Sequence, residues 1–167
     1  MEESRDLEPG GSEEEVTLRE VTPADLDVFF EHQRDPEATA MAAFSARDKA
    51  AFTAHWNKIL VNEIGTTRTI ELGGRVAGNV VSWEQDGRRQ VGYWIGKEHW
   101  GKGIATAALR RFLSHEPVRP LRAHVAKHNL GSIRVLEKCG FRKVGEETAP
   151  ATESFPAIVE VLMELRG

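Results

Sequence analysis

The sequence contains a single cysteine, Cys139, among its 167 residues. One thiol cannot form an intramolecular disulfide, which excludes a disulfide-stabilised scaffold and agrees with a reducing, cytoplasmic environment. No apolar run approaches the roughly 20 residues that a membrane-spanning helix needs, so we expect no membrane association. The six histidines, which include His124 and His128, do not show metal-ligand spacing. We therefore predict no metal site.

Positive charge is also scarce. The chain has 22 lysines and arginines against 26 acidic residues, a formal net charge of -4 and a pI of about 5.9. This balance argues against direct nucleic-acid binding but is compatible with a basic protein partner. Residues 1–15 are acidic, unlike a basic signal or transit peptide. We interpret them as a disordered lead-in to a single domain over residues 16–167, which is long enough for one sizeable core.

Hydrophobic periodicity indicates a mixed α+β fold. Gly73-Gly74 is a two-residue hairpin signal between two strand-like runs. Thr22 and Ser45-x-x-Asp48 are helix-start signals. Antiparallel hairpins should therefore be followed by a β-α-β-α-β-β arrangement. The predicted strands are Val16–Val21, Thr66–Leu72, Arg75–Trp83, the aromatic strand around Tyr93, Leu121–Ala126, Arg142–Glu147 and Ala157–Leu165, and the later helices are Ile104 to about Glu116 and Leu130–Cys139.

The most informative segment is QVGYWIGKEHWGKGIATAALRRFL, from Gln90 to Leu113. A strand ends at Gly96, and Gly101-Lys102-Gly103 lies immediately before a strong helical stripe. The glycines allow close backbone approach, and the free N–H groups of the first helical turn favour an anion. The dinucleotide fingerprint is not met because Thr106 stands three residues after Gly103, and no P-loop sequence is present. The segment therefore predicts a pyrophosphate site of another type.

This segment resembles the acetyl-CoA-binding motif Arg/Gln-x-x-Gly-x-Gly/Ala of the GNAT superfamily of N-acetyltransferases, reading here Glu98-His99-Trp100-Gly101-Lys102-Gly103. Its GYW and WGKG forms are most similar to the branch that acetylates the N-termini of ribosomal proteins. Asn129-x-x-Ser132, followed by LEKCGF from Leu136 to Phe141, is a second match. The resemblance covers roughly Val16 to Leu165. It implies a mixed, centrally parallel sheet of about seven strands with helices on both faces.

The resemblance implies acetyl-CoA as co-substrate. Backbone N–H groups from Gly101 to Thr106 would hold the pyrophosphate, and Lys102 would add a charge-assisted contact, unless it is only a solvated surface charge. Exposed strand groups at the end of the aromatic strand would pair with pantetheine, and one N–H there would stabilise the oxyanion. Asn129 would contact the arm, cap the next helix, or do both. The predicted cofactor-binding residues are Trp94, Ile95, Gly101, Lys102, Gly103, Ile104, Ala105, Thr106, Asn129 and Ser132.

The catalytic groups depart from the simplest pattern of this superfamily. Leu136 stands where a tyrosine general acid is common, and Gln90 stands where an acidic residue often precedes the strand. Ser132, one helical turn after Asn129, is the candidate donor to the departing thiolate. Glu84 is the candidate base, with His124 as an alternative because histidine titrates near pH 6.5. Each has an ordinary structural explanation as well, and proximity with water as the base is the remaining option.

We expect direct attack by the amine in a ternary complex. Cys139 lies at a helix C-terminus, where the helix dipole disfavours a thiolate, so a covalent acetyl-enzyme is not expected. Two other functional classes stay open. The missing tyrosine and acidic residue favour a non-catalytic acyl-CoA-binding module, whereas a nucleotide-binding domain conflicts with the motif from Asn129 to Phe141.

The acceptor is the least determined part of the prediction. The resemblance assigns the acceptor pocket to the helices of Pro23–Asn62 and to the loop of roughly Thr148–Pro156. Glu146, Glu147 and Glu153 would attract a cationic amine, although a solvated acidic loop explains them equally well. A protein N-terminus, a polyamine, an amino acid and an antibiotic amine are all compatible with the sequence. A homodimer is a further expectation.

Overall fold

The computed structural model describes residues 16–43, 46–62, 65–151, 153 and 156–167. The acidic lead-in and Ser45 therefore lie outside the described residues. Seven strands form one sheet in the order β1-β2-β3-β4-β5-β7-β6. Their bounds are β1 Val16–Arg19, β2 Thr66–Leu72, β3 Arg75–Gln85, β4 Arg88–Ile95, β5 Leu121–Ala126, β6 Arg142–Ala149 and β7 Ile158–Leu165.

Within the described residues, five α-helices and one short 3₁₀ turn connect these strands. No helix among the described residues has the length and apolarity needed to cross a bilayer. Their bounds are α1 Pro23–Arg34, α2 Pro36–Ala42, α3 Lys49–Leu60, the 3₁₀ turn Lys97–His99, α4 Ile104–Leu113 and α5 Leu130–Lys138.

The sheet is mixed, with its parallel pair at the centre. Strands β4 and β5 run parallel, and the other described neighbours pair antiparallel. Strand β7 inserts between β5 and β6, so the chain returns antiparallel to β5 after α5. This arrangement confirms the predicted fold class.

Separate hydrophobic clusters cover the two faces of the sheet. Helix α4 packs Ile104, Ala108 and Phe112 against one face, each at most 2% exposed. These residues recur every four positions and therefore share one side of the helix. On the other face, Phe29 of α1 packs against Trp56 of α3 with ring centroids 5.1 Å apart. Burying one such side chain is worth about 1.5–3 kcal/mol, so both helix layers hold the sheet in place.

The structure corrects two predicted helix boundaries and adds one helix that was not predicted. Helix α3 begins at Lys49 because the Asp48 carboxylate accepts a hydrogen bond from the Ala51 N–H at 2.8 Å. Helix α4 ends at Leu113 rather than near Glu116. Helix α2 was not predicted because seven residues are too few to show a helical period. Its start signal was nevertheless present, since Asp35 caps it and Pro36 occupies the first turn.

A buried ion pair between Glu116 and Arg89 attaches the connector between α4 and β5 to the sheet. The Glu116 carboxylate accepts hydrogen bonds from Ser82 Oγ at 2.8 Å and from Arg89 Nη2 at 3.1 Å. Both charged residues are at most 8% exposed. Burial raises the pKa of Glu116, but the hydrogen bonds from Ser82, the Val118 N–H and Arg89 outweigh it and lower the pKa below its usual value.

Replacing Glu116 with glutamine should reduce the free energy of unfolding by about 3 kcal/mol at pH 7, because it leaves the Arg89 charge buried with weaker compensation. The lowered pKa means that the wild-type carboxylate contributes above the pKa of the unfolded state, 4.5. That contribution should be lost as pH falls further. Urea denaturation at pH 7 and pH 4 measures both effects. Glu137→Gln, an exposed change on α5, is the control, and an equal loss in both variants would contradict the prediction.

Candidate active site

A cavity of about 450 Å³ opens where β4 and β5 separate. The two strands pair only at Arg89 with Leu121 and at Gln90 with Arg122, although both continue beyond these positions. Beyond these positions, the backbone groups of β4 and β5 that face the gap do not pair with each other, while their other sides remain paired with β3 and β7. The cavity walls come from α2, the end of β4, the loop before α4, the start of α4, and α5.

The backbone at the end of β4 is divided between the sheet and the gap. The Gly96 N–H donates to the Ala77 carbonyl of β3 at 2.8 Å. Since backbone groups alternate sides along a strand, those of Trp94 face β3 and those of Ile95 face the gap. The indole Nε1–H of Trp100 donates to the Ile95 carbonyl at 2.9 Å. Of the two predicted positions, Ile95 therefore offers its N–H to the gap, whereas the backbone of Trp94 is paired with β3, although Trp94 is also among the residues that line the cavity.

The loop before α4 has the geometry of an anion cradle. Gly101 and Gly103 have φ values of +77° and +79°, a region that side chains other than glycine rarely adopt. Gly103 is the N-cap of α4, and no described side chain caps this helix. The N–H groups of the first turn therefore face the cavity without a protein acceptor, as an anion site requires.

The predicted cradle residues play different parts. Gly101, Gly103, Ala105 and Thr106 line the cavity. The Ile104 side chain is 1% exposed and anchors the loop to the core. Lys102 is exposed and is not among the lining residues, so the structure leaves its side chain at the surface.

A pair of hydroxyl groups lies across the cavity between β4 and α5. Tyr93 Oη and Ser132 Oγ are 2.7 Å apart, and either can donate. Burial raises the pKa of Tyr93 to about 12, although the hydrogen bond to Ser132 opposes this. Sequence reasoning treated Tyr93 only as a strand residue. Its place on the inward face of β4, with Val91 and Ile95, was the available signal, but its hydroxyl partner comes from an element 39 residues away.

Asn129 holds Ser132 in position. Its side-chain oxygen accepts the Ser132 N–H at 3.2 Å, which makes it the N-cap of α5. Asn129 also lines the cavity. Both proposed functions of this residue, helix capping and contact with the pantetheine arm, are therefore geometrically compatible.

His99 adds an unsatisfied polar atom to the cavity wall. Its buried Nδ1 has no hydrogen-bond partner within the described part of the chain. Burial lowers the pKa of His99 despite the nearby Glu98 carboxylate, so the imidazole is neutral near pH 7. Neutral imidazole carries one donor and one acceptor nitrogen. Because Nδ1 is shielded from solvent, it lies behind the cavity surface, and His99 lines the cavity through its other atoms.

The two candidate bases do not line the cavity. Glu84 pairs with Arg89 across the β3–β4 hairpin, and its carboxylate lies 3.7 Å from that guanidinium. It is five strand positions, roughly 16 Å, from the level of Trp94. The position of Glu84 does not support its predicted role as the base. His124 Nδ1 lies 3.5 Å from the Glu160 carboxylate on the same sheet face, outside the cavity.

Cys139 also lies outside the cavity lining. Its thiol is half-buried and donates a long hydrogen bond of 3.8 Å to the Thr106 carbonyl. Within the described ranges, no group of three or more His, Cys, Asp or Glu side chains is placed to hold a metal ion.

The predicted acceptor region is only partly described. Ala38, Met41 and Ala42 of α2 form one wall of the cavity. The loop predicted from Thr148 begins later, because β6 continues to Ala149. Glu146 is engaged by Lys127 at 3.2 Å and Lys143 at 2.6 Å, which lower its pKa. Its charge is therefore largely compensated before any amine arrives.

Comparison with known proteins identifies the class. A profile of the acetyltransferase (GNAT) domain matches residues 15–142. The chain belongs to this family and is an acyltransferase. An uncharacterized N-acetyltransferase, p20, of Bacillus licheniformis is 28% identical over 151 residues, which cover 79% of this chain and 82% of that protein.

Solved structures agree on the fold. Spermidine N-acetyltransferase from Vibrio cholerae, in complex with CoA and spermine, has a TM-score of 0.80 at 18% identity. The match covers 92% of this chain and 96% of that one. RimJ of Mycobacterium smegmatis, in complex with CoA-disulfide, has a TM-score of 0.75 at 21% identity, covering 91% and 82%.

Proposed function

We propose that this chain is an acetyl-CoA-dependent N-acetyltransferase that transfers acetyl directly to a primary amine. The separation of β4 from β5 beside an uncapped helix N-terminus carries the proposal, because the two features together match one elongated ligand. Acetyl-CoA has a pyrophosphate for the helix N-terminus and an amide-bearing arm for the free strand backbone.

Different residues along the cavity bind different parts of acetyl-CoA. The first turn of α4 and the glycines before it hold the pyrophosphate, and the gap-facing Ile95 backbone binds next to the thioester. The Ile95 N–H is placed to stabilise the oxyanion that forms when the amine attacks the carbonyl carbon. A C–N bond forms, the C–S bond breaks, and the amine loses one proton. Among the described residues that line the cavity, His99 is the only histidine and there is no carboxylate, so we assign proton removal to water or His99.

The Ser132–Tyr93 pair acts on the leaving sulfur. A thiolate resembling that of cysteine has a pKa of roughly 8.5, and each pKa unit corresponds to about 1.4 kcal/mol. The tyrosine pKa of about 12 makes complete proton transfer to sulfur unfavourable. The pair therefore donates a hydrogen bond to the developing thiolate and keeps its own protons. This refines the general-acid role predicted for Ser132.

The proposal extends to the acceptor amine and to the branch of the family. The GYW and WGKG forms favour the branch that acetylates N-termini of ribosomal proteins, and RimJ shares the fold of this chain. Spermidine N-acetyltransferase shares the fold as well, which supports a small-molecule amine equally. The single cysteine favours the cytoplasm, and a homodimer stays a prediction. A non-catalytic acyl-CoA-binding module is the alternative, because neither candidate base, Glu84 or His124, lines the cavity.

A thiol-release assay across amines distinguishes these functions. Spermidine, amino acids, aminoglycosides and peptides with free N-termini are each supplied with acetyl-CoA, and CoA release is followed together with acetylated product by mass spectrometry. Turnover on any amine supports the proposal. Tight CoA binding with no turnover on the whole panel would favour the binding module.

Direct transfer makes a kinetic prediction about Cys139. Rates measured against acetyl-CoA at several amine concentrations should give intersecting lines, because both substrates must be bound together. Cys139→Ala should keep kcat near that of the wild type, although losing the half-buried thiol costs stability on the order of 1 kcal/mol. Parallel lines, or an acetylated Cys139 trapped without amine, would show a covalent route instead.

A further inference from the structure

Two cations on α5 line the cavity, and neither has an ion-pair partner among the described residues. Arg134 and Lys138 both contribute to its wall. Across the described residues, neither side chain makes an ion pair or a side-chain hydrogen bond, whereas Glu146 and Glu164 have cationic neighbours. The sequence motif was interpreted through Asn129 and Ser132 alone, so these cations were not predicted as ligand contacts.

Their spacing brings both charges to one place. Residues four apart on a helix are neighbours with Cβ atoms about 5–6 Å apart. Two like charges at this spacing destabilise a helix by roughly 0.2–0.5 kcal/mol. Among the described residues, no carboxylate forms an ion pair with Arg134 or Lys138. A bound anion between the two side chains would relieve it.

The C-terminal end of α5 lies beside the cradle. The thiol of Cys139 reaches the Thr106 carbonyl at 3.8 Å, and Arg110 of α4 reaches the Lys138 carbonyl at 3.5 Å. Lys138 is six residues from Ser132, which is about 9 Å along the helix axis. Lys138 is therefore next to the pyrophosphate end of the cavity, and Arg134 lies between it and Ser132 along the helix axis.

We propose that Arg134 and Lys138 bind the 3′-phosphate on the ribose of acetyl-CoA. This proposal rests on the proposed function. It concerns the 3′-phosphate, a part of acetyl-CoA to which the family motif assigns no residue. The pyrophosphate already has the N–H groups of the α4 N-terminus. A phosphomonoester carries about -1.5 to -2 charge near pH 7, and a guanidinium binds such an anion through paired hydrogen bonds. The ammonium of Lys138 supplies the second charge.

The test compares CoA with dephospho-CoA, which lacks only the 3′-phosphate. Calorimetry measures the Kd of both ligands for the wild type, Arg134→Gln, Lys138→Gln and the double variant. The wild type should bind CoA about tenfold more tightly or better, a difference of about 1.4 kcal/mol, and the double variant should lose this preference. Arg142→Gln, an exposed cation on β6 outside the cavity, is the matched control and should keep it.

Each of the other outcomes would contradict a different part of the proposal. Equal affinity of the wild type for the two ligands would overturn the 3′-phosphate assignment while leaving the acetyltransferase proposal intact. Weakening of both ligands by the same factor in the double variant would place the cations on the pyrophosphate and also overturn it. If the wild type bound neither ligand, the proposed function would fall and the cation site with it. All variants alter exposed side chains, and circular dichroism checks their folding.

Discussion

Replacing Gly103 with aspartate should weaken CoA binding by about tenfold to a hundredfold, since two charges about 5 Å apart repel by roughly 3 kcal/mol at an effective dielectric of 20. The residue is the N-cap of α4, so the new carboxylate would lie among the N–H groups assigned to the pyrophosphate. It would repel the phosphates of the ligand and compete with them for the N–H groups of the first helical turn. Calorimetry with CoA measures the loss directly.

Backbone strain must be separated from charge in this experiment. Gly103 has a φ of +79°, so any side chain there is strained, but an added Cβ meets no atom within 4 Å. Gly103→Ala carries the same strain without the carboxylate and should lose only a few-fold in affinity. Gly73→Asp places a carboxylate in the exposed β2–β3 hairpin at a φ of +58° and should leave binding unchanged. Wild-type affinity in a folded Gly103→Asp variant would remove the phosphate assignment.

The second large effect concerns turnover. Ser132→Ala should lower kcat about 10²-fold with little change in the affinity for acetyl-CoA, because its hydrogen bond to sulfur strengthens only as the thiolate develops. Tyr93→Phe should lower kcat by a smaller factor, since it removes the hydroxyl that orients Ser132 at 2.7 Å. The double variant should be less impaired than the product of the two single effects predicts, because the hydroxyls act as one unit.

The pH dependence distinguishes hydrogen bonding from acid catalysis. With the Tyr93 pKa raised to about 12, kcat should show no basic limb from this group up to pH 10. A basic limb that disappears in Tyr93→Phe would show that the tyrosine gives up its proton during turnover. Ser114→Ala, at the exposed end of α4, is the matched serine control. A fall confined to KM in Ser132→Ala would make Ser132 a binding residue.

The order of elements was predictable because each carries its own local pattern. The Gly73-Gly74 hairpin and the bounds of β2 and β5 agree with the sequence prediction. Alternation and turn glycines depend only on neighbours along the chain. The start of α3 was misplaced because two capping signals competed within four residues, and Asp48 rather than Ser45 precedes the helix. Helix α2 was missed since one short helix has no measurable period.

The candidate site also has one part that was predictable from the sequence and another part that was not. The glycine loop was predictable because a helix N-terminus and its preceding glycines form one continuous segment. The expectation for Glu84 followed from its position at the end of a strand, but β3 and β4 run antiparallel and place it at the hairpin end, against Arg89. Strand direction relative to the cavity cannot be deduced from a single strand.

The sequence by itself determined the family and the seven-strand mixed sheet, and it predicted the glycine loop before α4, because these depend on local periodicity and on a contiguous motif. Only the tertiary structure decided the groups that meet across the cavity. Tyr93 meets Ser132 across 39 residues of chain, and Lys138 lies beside α4 through the packing of two helices. Such pairings follow from how amphipathic elements bury their apolar faces against one sheet. Many sequences satisfy that burial, and the polar partners it brings together are fixed only when the whole domain has folded.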